Sequence, residues 1–237
     1  MDINQLRKKL DSLAESLKNE KKSLLKARLK GLSSAYPFNE YEYIIMFLSQ
    51  HGIITFNDYE RLRKEYLVTN RYLELYDLSP RIFGGIWAED HIIDLDKRIK
   101  KPSTILDSEY VGEYDLWIDG IKIEVKASRA ANKKIRGSIV SKAVHYTSEE
   151  PFWMNFQQLK KDISDVFIFI GVWPNEINYW VLSNEEVKSN NYLSPQHRGG
   201  VEYQIGITNK NVLEFNRYKA NPSDIVAIIK EKSDHGR

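Results

Sequence analysis

The stretch from Glu113 to Lys126, EYDLWIDGIKIEVK, carries the residues best suited to chemistry. Asp119-Gly120 between two alternating runs predicts a two-residue hairpin turn. Counting outward from that turn pairs Ile118 with Ile121, Trp117 with Lys122, Leu116 with Ile123 and Asp115 with Glu124, and sets Glu113 opposite Lys126. Alternation then sends Tyr114, Leu116, Ile118, Ile121, Ile123 and Val125 to one face, which can be buried, and Glu113, Asp115, Glu124 and Lys126 to the other. Carboxylates directly opposed at about 5 Å repel unless positive charge lies between them. A divalent cation is the economical answer. Mg²⁺ takes oxygen ligands and keeps several waters, which one Asp, one Glu and a substrate phosphate complement. The alternative is a solvated face of ion pairs, Glu113 with Lys126 and Glu124 with Lys122.

Such a set meets the needs of phosphodiester hydrolysis: neutralised charge on the phosphate, an in-line water and a stabilised leaving oxygen. Asp115 and Glu124 would hold the metal. Lys126, two residues on and on the same face, would orient or help deprotonate the attacking water and offset phosphate charge.

The pattern Asp115-x₈-Glu124-Val125-Lys126 resembles the PD-(D/E)xK signature of restriction endonucleases and related nucleases, with Tyr114 where the signature has proline. The segment Gly85-Ile86-Trp87-Ala88-Glu89 resembles the G-x-x-x-E element by which some members bring another carboxylate to the metal. Phe156-Gln157-Gln158-Leu159-Lys160 falls where related nucleases can carry a glutamine near the substrate. The likeness spans roughly residues 81–182. It implies an α/β fold with a restriction-endonuclease-like core, a mixed sheet flanked by helices, beside an N-terminal helical region. It also implies Asp115, Glu124, Lys126 and Glu89 as catalytic residues, and Asp115, Glu124 and Val125 as the Mg²⁺-holding set. The expected activity is that of a type II restriction enzyme: a sequence-specific, Mg²⁺-dependent endonuclease cutting double-stranded DNA, with a cognate DNA methyltransferase as partner. Cutting both strands of a symmetric site is simplest for a homodimer. The alternatives are a nuclease of the same superfamily acting in repair or recombination, and a non-catalytic DNA-binding regulator.

The elements that must position these residues follow from periodicity. Residues 2–30 read as one long amphipathic helix, with Ile3, Leu6, Leu10, Leu13, Leu17 and Leu24 on a stripe suited to core packing or to pairing with a second copy. Tyr41, Ile44, Ile45 and Leu48 mark a helix ending at Gly52, and Thr55 with Asp58 predicts a capped helix to about Val68. Helix, turn, helix is an outline that reads DNA in some proteins, and Arg61, Arg63 and Lys64 lie on its second helix. A third helical segment passes Tyr72–Tyr76. Beyond Pro80 the expected order is a helix over 81–95, the hairpin, a helix near Phe152–Lys161, a buried strand Val166–Trp173, an alternating strand Asn178–Leu182, a strand Glu202–Thr208 and a helix Ser223–Lys230. The division expected is a helical region, 1–79, serving dimer contact or DNA binding, and a nuclease domain with a C-terminal extension, 80–237.

The composition sets the limits. The 237 residues are 42% hydrophobic and 12% aromatic, enough for a sizeable core. There is no cysteine, which excludes disulfides and thiolate metal sites and favours an intracellular setting. The charged start predicts no secretory signal, and the longest apolar run, Val166–Trp173, is too short for a bilayer, so a cytoplasmic protein with no membrane partner is expected. The formal net charge of +2 says little about nucleic acid, but local basic runs do say something. Arg129, Asn132, Lys133, Lys134 and Arg136 directly follow the catalytic strand and are expected on phosphates. Gln196, His197 and Arg198, ahead of Gly199-Gly200, are candidates for base edges or phosphates, or else a solvated turn. The five histidines show no paired metal spacing, and no phosphate-binding G-x-x-x-x-G-K-[ST] is present.

Overall fold

In the computed structural model, which describes residues 3–30, 40–196 and 202–234, the expected hairpin forms as β1 (Leu116–Ile118) and β2 (Ile121–Arg129). Asp119 (φ 48°) and Gly120 (φ 87°) both take left-handed backbone, as a type I′ turn requires, and the register pairs Leu116 with Ile123, Trp117 with Lys122 and Ile118 with Ile121. The six residues assigned to the apolar face are all buried. The ladder departs from simple counting one step further out. The Asp115 N–H donates to the Ile123 carbonyl, although Ile123 is the partner of Leu116, so the strand leaves regular register there. Glu113 therefore does not sit opposite Lys126; its carboxylate accepts from the Val111 N–H.

The described residues fall into two compact units. One comprises residues 79–130, 151–172 and 177–237. Its main sheet has the order β1-β2-β4-β5-β8, where β4 is Val166–Val172, β5 Ile177–Ser183 and β8 Lys219–Ala220. β2 and β4 run parallel and every other neighbour is antiparallel, which makes the sheet mixed. β4 is buried along its whole length, as a central strand covered on both faces must be, and each large apolar side chain contributes about 1.5–3 kcal/mol by burial. Helix α5 (Ala88–Leu95) packs on β2, while α6 (Asn184–Lys188) and α7 (Ile225–Asp234) pack on β4 and β5. The unit is mixed α/β, with helices flanking the sheet. The helix expected over 81–95 is present, but its first turns, Ile82–Trp87, are wound as a π-helix. Gly84 and Gly85 lie in that segment, where low helix propensity relaxes the usual ladder.

A larger expectation is overturned at the second sheet. Phe152–Lys161 is not a helix; β3 (Trp153–Leu159) pairs with β7 (Tyr203–Thr208), which also pairs with β6 (Leu193–Pro195), giving a second, three-stranded sheet. The register of β3 shifts between Phe156 and Leu159, and Gln158 there adopts φ 58°. This irregularity inserts an extra residue between buried positions, so Met154, Phe156 and Leu159 reach the core at spacings of two and three, and with Phe152 the pattern imitates a helical stripe.

The other unit holds residues 1–78, 131–150 and 173–176. The single long helix expected over 2–30 is two, α1 (Ile3–Ala14) and α2 (Asn19–Lys30). The turn between them shifts the apolar phase by one residue: Leu10, Leu17 and Leu25 are buried, and Leu24, assigned to the stripe, is exposed. α3 (Glu40–Gln50) and α4 (Phe56–Thr69) follow, the latter opened by the expected capping box, with the Asp58 N–H donating to Thr55 Oγ1 and the Thr55 N–H to the Asp58 carboxylate. Of the basic residues on α4, Arg61 pairs with Asp58 and Arg63 with Glu42. Gly52, at φ 68°, makes the turn after α3. The Tyr72–Tyr76 segment is a single 3₁₀ turn, Leu73–Tyr76. Among the described residues no helix is long and apolar enough to cross a membrane.

Candidate active site

Asp115 lies where the β1 end leaves its ladder, and that departure sets its side chain. Its Oδ2 accepts from the Val125 N–H at 2.9 Å, tying the carboxylate to the neighbouring strand. Glu124 and Lys126 are two residues apart on β2 and so share a face. Lys126 Nζ lies 2.6 Å from Glu124 Oε1 and 3.5 Å from Asp115 Oδ2. The positive charge demanded between the two carboxylates is thus supplied by the lysine, and the alternative pairing of Glu124 with Lys122 does not form: Lys122 pairs with Asp107.

The three differ in exposure, and that difference governs their electrostatics. The Glu124 side chain is 2% exposed and those of Lys126 and Asp115 are 20% and 26%. Burial pushes the Glu124 carboxyl above its usual range; Lys126 opposes this, Asp115 adds to it and Lys160 opposes it again. For Lys126 burial disfavours the charged form, yet the Glu124 and Asp115 carboxylates outweigh it and raise the lysine above its ordinary value. The Ser164 hydroxyl reaches Glu124 Oε2 at 3.4 Å.

Asp115 and Lys126 open onto a cavity of about 450 Å³ in the α/β unit. Glu89, from α5, lines the same cavity; its proton affinity is raised by burial and then by the Asp115 charge, with Lys101 3.7 Å away acting the other way. Arg81 and Arg129 contribute cations to the wall, and the Arg129 guanidinium stacks 4.3 Å from the centre of the Phe83 ring. β3 contributes Asn155, Gln157 and Gln158 to the wall. The Asn155 N–H donates to Ser128 Oγ of β2, which ties β3 to the strand that carries Glu124 and Lys126.

The sequence-derived candidates therefore divide. Asp115, Glu124, Lys126, Glu89 and Arg129 gather at or just beneath one cavity. Gln196 stands behind it, its Oε1 accepting from the Gln158 N–H. Asn132, Lys133, Lys134 and Arg136 belong to the other unit, where Asn132 bonds Glu150 and the Lys134 N–H. His197 and Arg198 lie outside the described residues. Gln157 stands on a strand instead of the expected helix, yet still reaches the cavity. Arg81, Ser128 and Asn155 also line the cavity and are not among the sequence-derived candidates. Ser128 was findable, two residues beyond Lys126 on the same face, whereas nothing local marks Arg81 or Asn155. Lys160, the last residue of the glutamine segment, carries charge felt by Glu124.

Among the described residues no group of three or more His, Cys, Asp or Glu side chains is placed to hold a metal. The residues that would hold Mg²⁺ on the sequence expectation are Asp115 and Glu124, with Val125 able to offer only its main-chain carbonyl. That the two carboxylates already share one cation, the Lys126 ammonium, agrees with this donor chemistry. The chain matches no family model, no curated protein and no solved structure.

Proposed function

We propose that the protein is a Mg²⁺-dependent endonuclease that hydrolyses phosphodiester bonds in double-stranded DNA, in the manner of a type II restriction enzyme. The observation that carries this reading is the Lys126 ammonium shared by the Asp115 and Glu124 carboxylates beside a cavity whose wall includes Arg81 and Arg129. Asp115 and Glu124 would hold Mg²⁺, with the Val125 carbonyl beside them. When bound, the ion supplies Lewis-acid stabilisation of charge on the phosphate and an activated water. Lys126 donates hydrogen bonds to the attacking water and to a non-bridging phosphate oxygen. Arg81 and Arg129 hold flanking phosphates by charge-assisted hydrogen bonds. In the reaction the water oxygen joins phosphorus, one phosphorus–oxygen ester bond breaks, and the leaving oxygen takes up a proton to give a hydroxyl and a phosphate monoester. A homodimer would set one such site on each strand, and a cognate methyltransferase would protect the host site.

The test is incubation of the purified protein with unmethylated phage DNA and Mg²⁺, beside Glu124→Ala and an EDTA control. Discrete fragments that vanish in both controls are expected. Intact DNA with Mg²⁺ and with Mn²⁺ overturns the reading. A smear that vanishes in both controls keeps the hydrolytic site and removes the sequence-specific part.

A further inference from the structure

The cavity has two chemically different walls. One carries charge: Asp115, Lys126, Glu89, Arg81 and Arg129. The other is β3, whose contribution is three uncharged carboxamides, Asn155, Gln157 and Gln158. Neighbouring positions on β3, Phe156 and Leu159, are fully buried, while Gln157 and Gln158 are both exposed. In a regular strand two successive side chains point to opposite faces. Both glutamines reach the cavity because the strand is irregular at this point and Gln158 takes a left-handed backbone, a conformation uncommon for a residue other than glycine.

The irregularity is held from outside. Gln196, just past the end of β6, accepts the Gln158 N–H at 2.8 Å, and three residues earlier Asn155 donates from Nδ2 to Gln204 of β7 at 2.9 Å. Side-chain amides thus brace a local backbone departure whose effect is to turn two further amides toward the cavity. An uncharged carboxamide gains little from a phosphate compared with the arginines already there. Its side-by-side donor and acceptor match the N6 and N7 edge of adenine in the major groove. Bulged strands beside active sites commonly re-aim side chains in this way.

We propose that Gln157 and Gln158 form a base-reading edge, recognising an adenine in the major groove close to the scissile phosphate. The inference rests on the nuclease reading and adds its specificity determinant. The charged wall positions the backbone, and the amide wall reads the base.

The experiment is selection of bound duplexes from a random double-stranded library by the full chain with Ca²⁺ in place of Mg²⁺, using wild type, Gln157→Ala and Gln158→Gly. Glycine keeps the left-handed backbone at position 158, and thermal unfolding checks that each variant is folded. Bulk cleavage with Mg²⁺, with and without Glu124→Ala, runs in parallel. Wild type is expected to enrich a site containing a preferred A·T pair. In at least one glutamine variant the preference at that pair should fall by about tenfold to a hundredfold, with the other positions kept. A uniform loss of affinity for all sequences, with the preference intact, overturns the inference and makes the glutamines backbone contacts. Cleavage that depends on Glu124 but shows no enriched site also overturns it, while leaving the nuclease reading in place. Enrichment of that pair without any cleavage supports the reading edge and removes the hydrolytic claim. Neither binding nor cleavage removes both.

Discussion

The β1–β2 hairpin and β3 face one cavity and are built on opposite rules. The hairpin is regular where it matters: a type I′ turn at Asp119-Gly120 fixes the register, six apolar residues are buried on one face, and Glu124 and Lys126 share the other. β3 is irregular where it matters, with a register shift at Phe156/Leu159 and left-handed backbone at Gln158. Glu124, Lys126 and Arg129 sit on the regular strand β2 and the neutral amides on the irregular β3, while Asp115 stands just before β1, where the ladder is left. The physical reason is the cost of misplacement. A buried carboxylate such as Glu124 needs a partner at a fixed distance, and the parallel ladder with β4, which pairs Glu124 with Phe167 and Lys126 with Phe169, holds Lys126 at 2.6 Å. An exposed amide has no such penalty, so its strand can deviate to aim it.

The largest effect should come from the regular side. Glu124→Ala removes a would-be metal ligand and leaves Lys126 without its closest carboxylate, so cleavage should fall at least about a thousandfold. Lys126→Met should act in the same direction, by about a hundredfold or more, since it removes a group donating to developing charge. Single-turnover cleavage of a plasmid measures both. If Glu124→Ala keeps wild-type rates, the hairpin does not carry the chemistry and the division between the two walls loses its meaning.

Next in size is the turn. Gly120 sits at φ 87°, and Gly120→Val forces a β-branched side chain into left-handed backbone, so the protein should lose about 1–3 kcal/mol in denaturant unfolding. If the variant unfolds at the wild-type midpoint, the turn does not fix the hairpin register.

The same contrast explains what the sequence discloses. The inner hairpin register, its buried face and the shared face of Glu124 and Lys126 follow from Asp119-Gly120 and a period of two, which are local signals, whereas Asp115 reaches them through a departure from that register. Thr55 and Asp58 were equally legible as a capping box because that motif is complete within a few residues. β3 looks like a helix in the sequence because its inserted residue spaces Met154, Phe156 and Leu159 so that they imitate a helical stripe; the pairing with β7 that decides the matter comes from residues some fifty positions away. The break between α1 and α2 was hidden for a similar reason, since Leu24 continues the stripe and Leu25, the residue that is buried, does not. Arg81, Asn155 and the carboxamide wall depend on tertiary assembly and leave no local trace. The split of the basic run, with Arg129 in one unit and Asn132 to Arg136 in the other, is of the same kind.

A smaller effect tests the irregular side directly. Gln158 at φ 58° pays for its conformation, and Gln158→Val should lower stability by about 1 kcal/mol more than Gln158→Gly, which suits that backbone. Urea midpoints of the two variants compare the strain without reference to function. If the valine variant matches the glycine variant, the left-handed backbone at position 158 is not what shapes this wall.

The smallest effect asks how far the charged wall extends beyond the hairpin, and it falls on Glu89 of α5. Burial, and after it the Asp115 charge, raise the Glu89 carboxyl above its ordinary value of 4.5, with Lys101 working the other way. The folded protein therefore holds this proton to higher pH than the unfolded chain does. In the window above 4.5 the native state binds more protons, so this group's contribution to stability is complete below that pH and is lost as pH rises through the folded value. Glu89→Gln abolishes the titration while keeping the side-chain shape, and Lys101 retains Asp90 at 2.9 Å. In EDTA, the variant and wild type should therefore diverge in favour of the variant as pH rises above about 4.5. A second variant, Glu89→Gln with Asp115→Asn, separates the two causes. If Asp115 is felt at α5, Glu89→Gln should gain less stability in the Asp115→Asn background than in the wild-type background. An equal gain in both backgrounds would assign the shift to burial alone and end the charged wall at the hairpin.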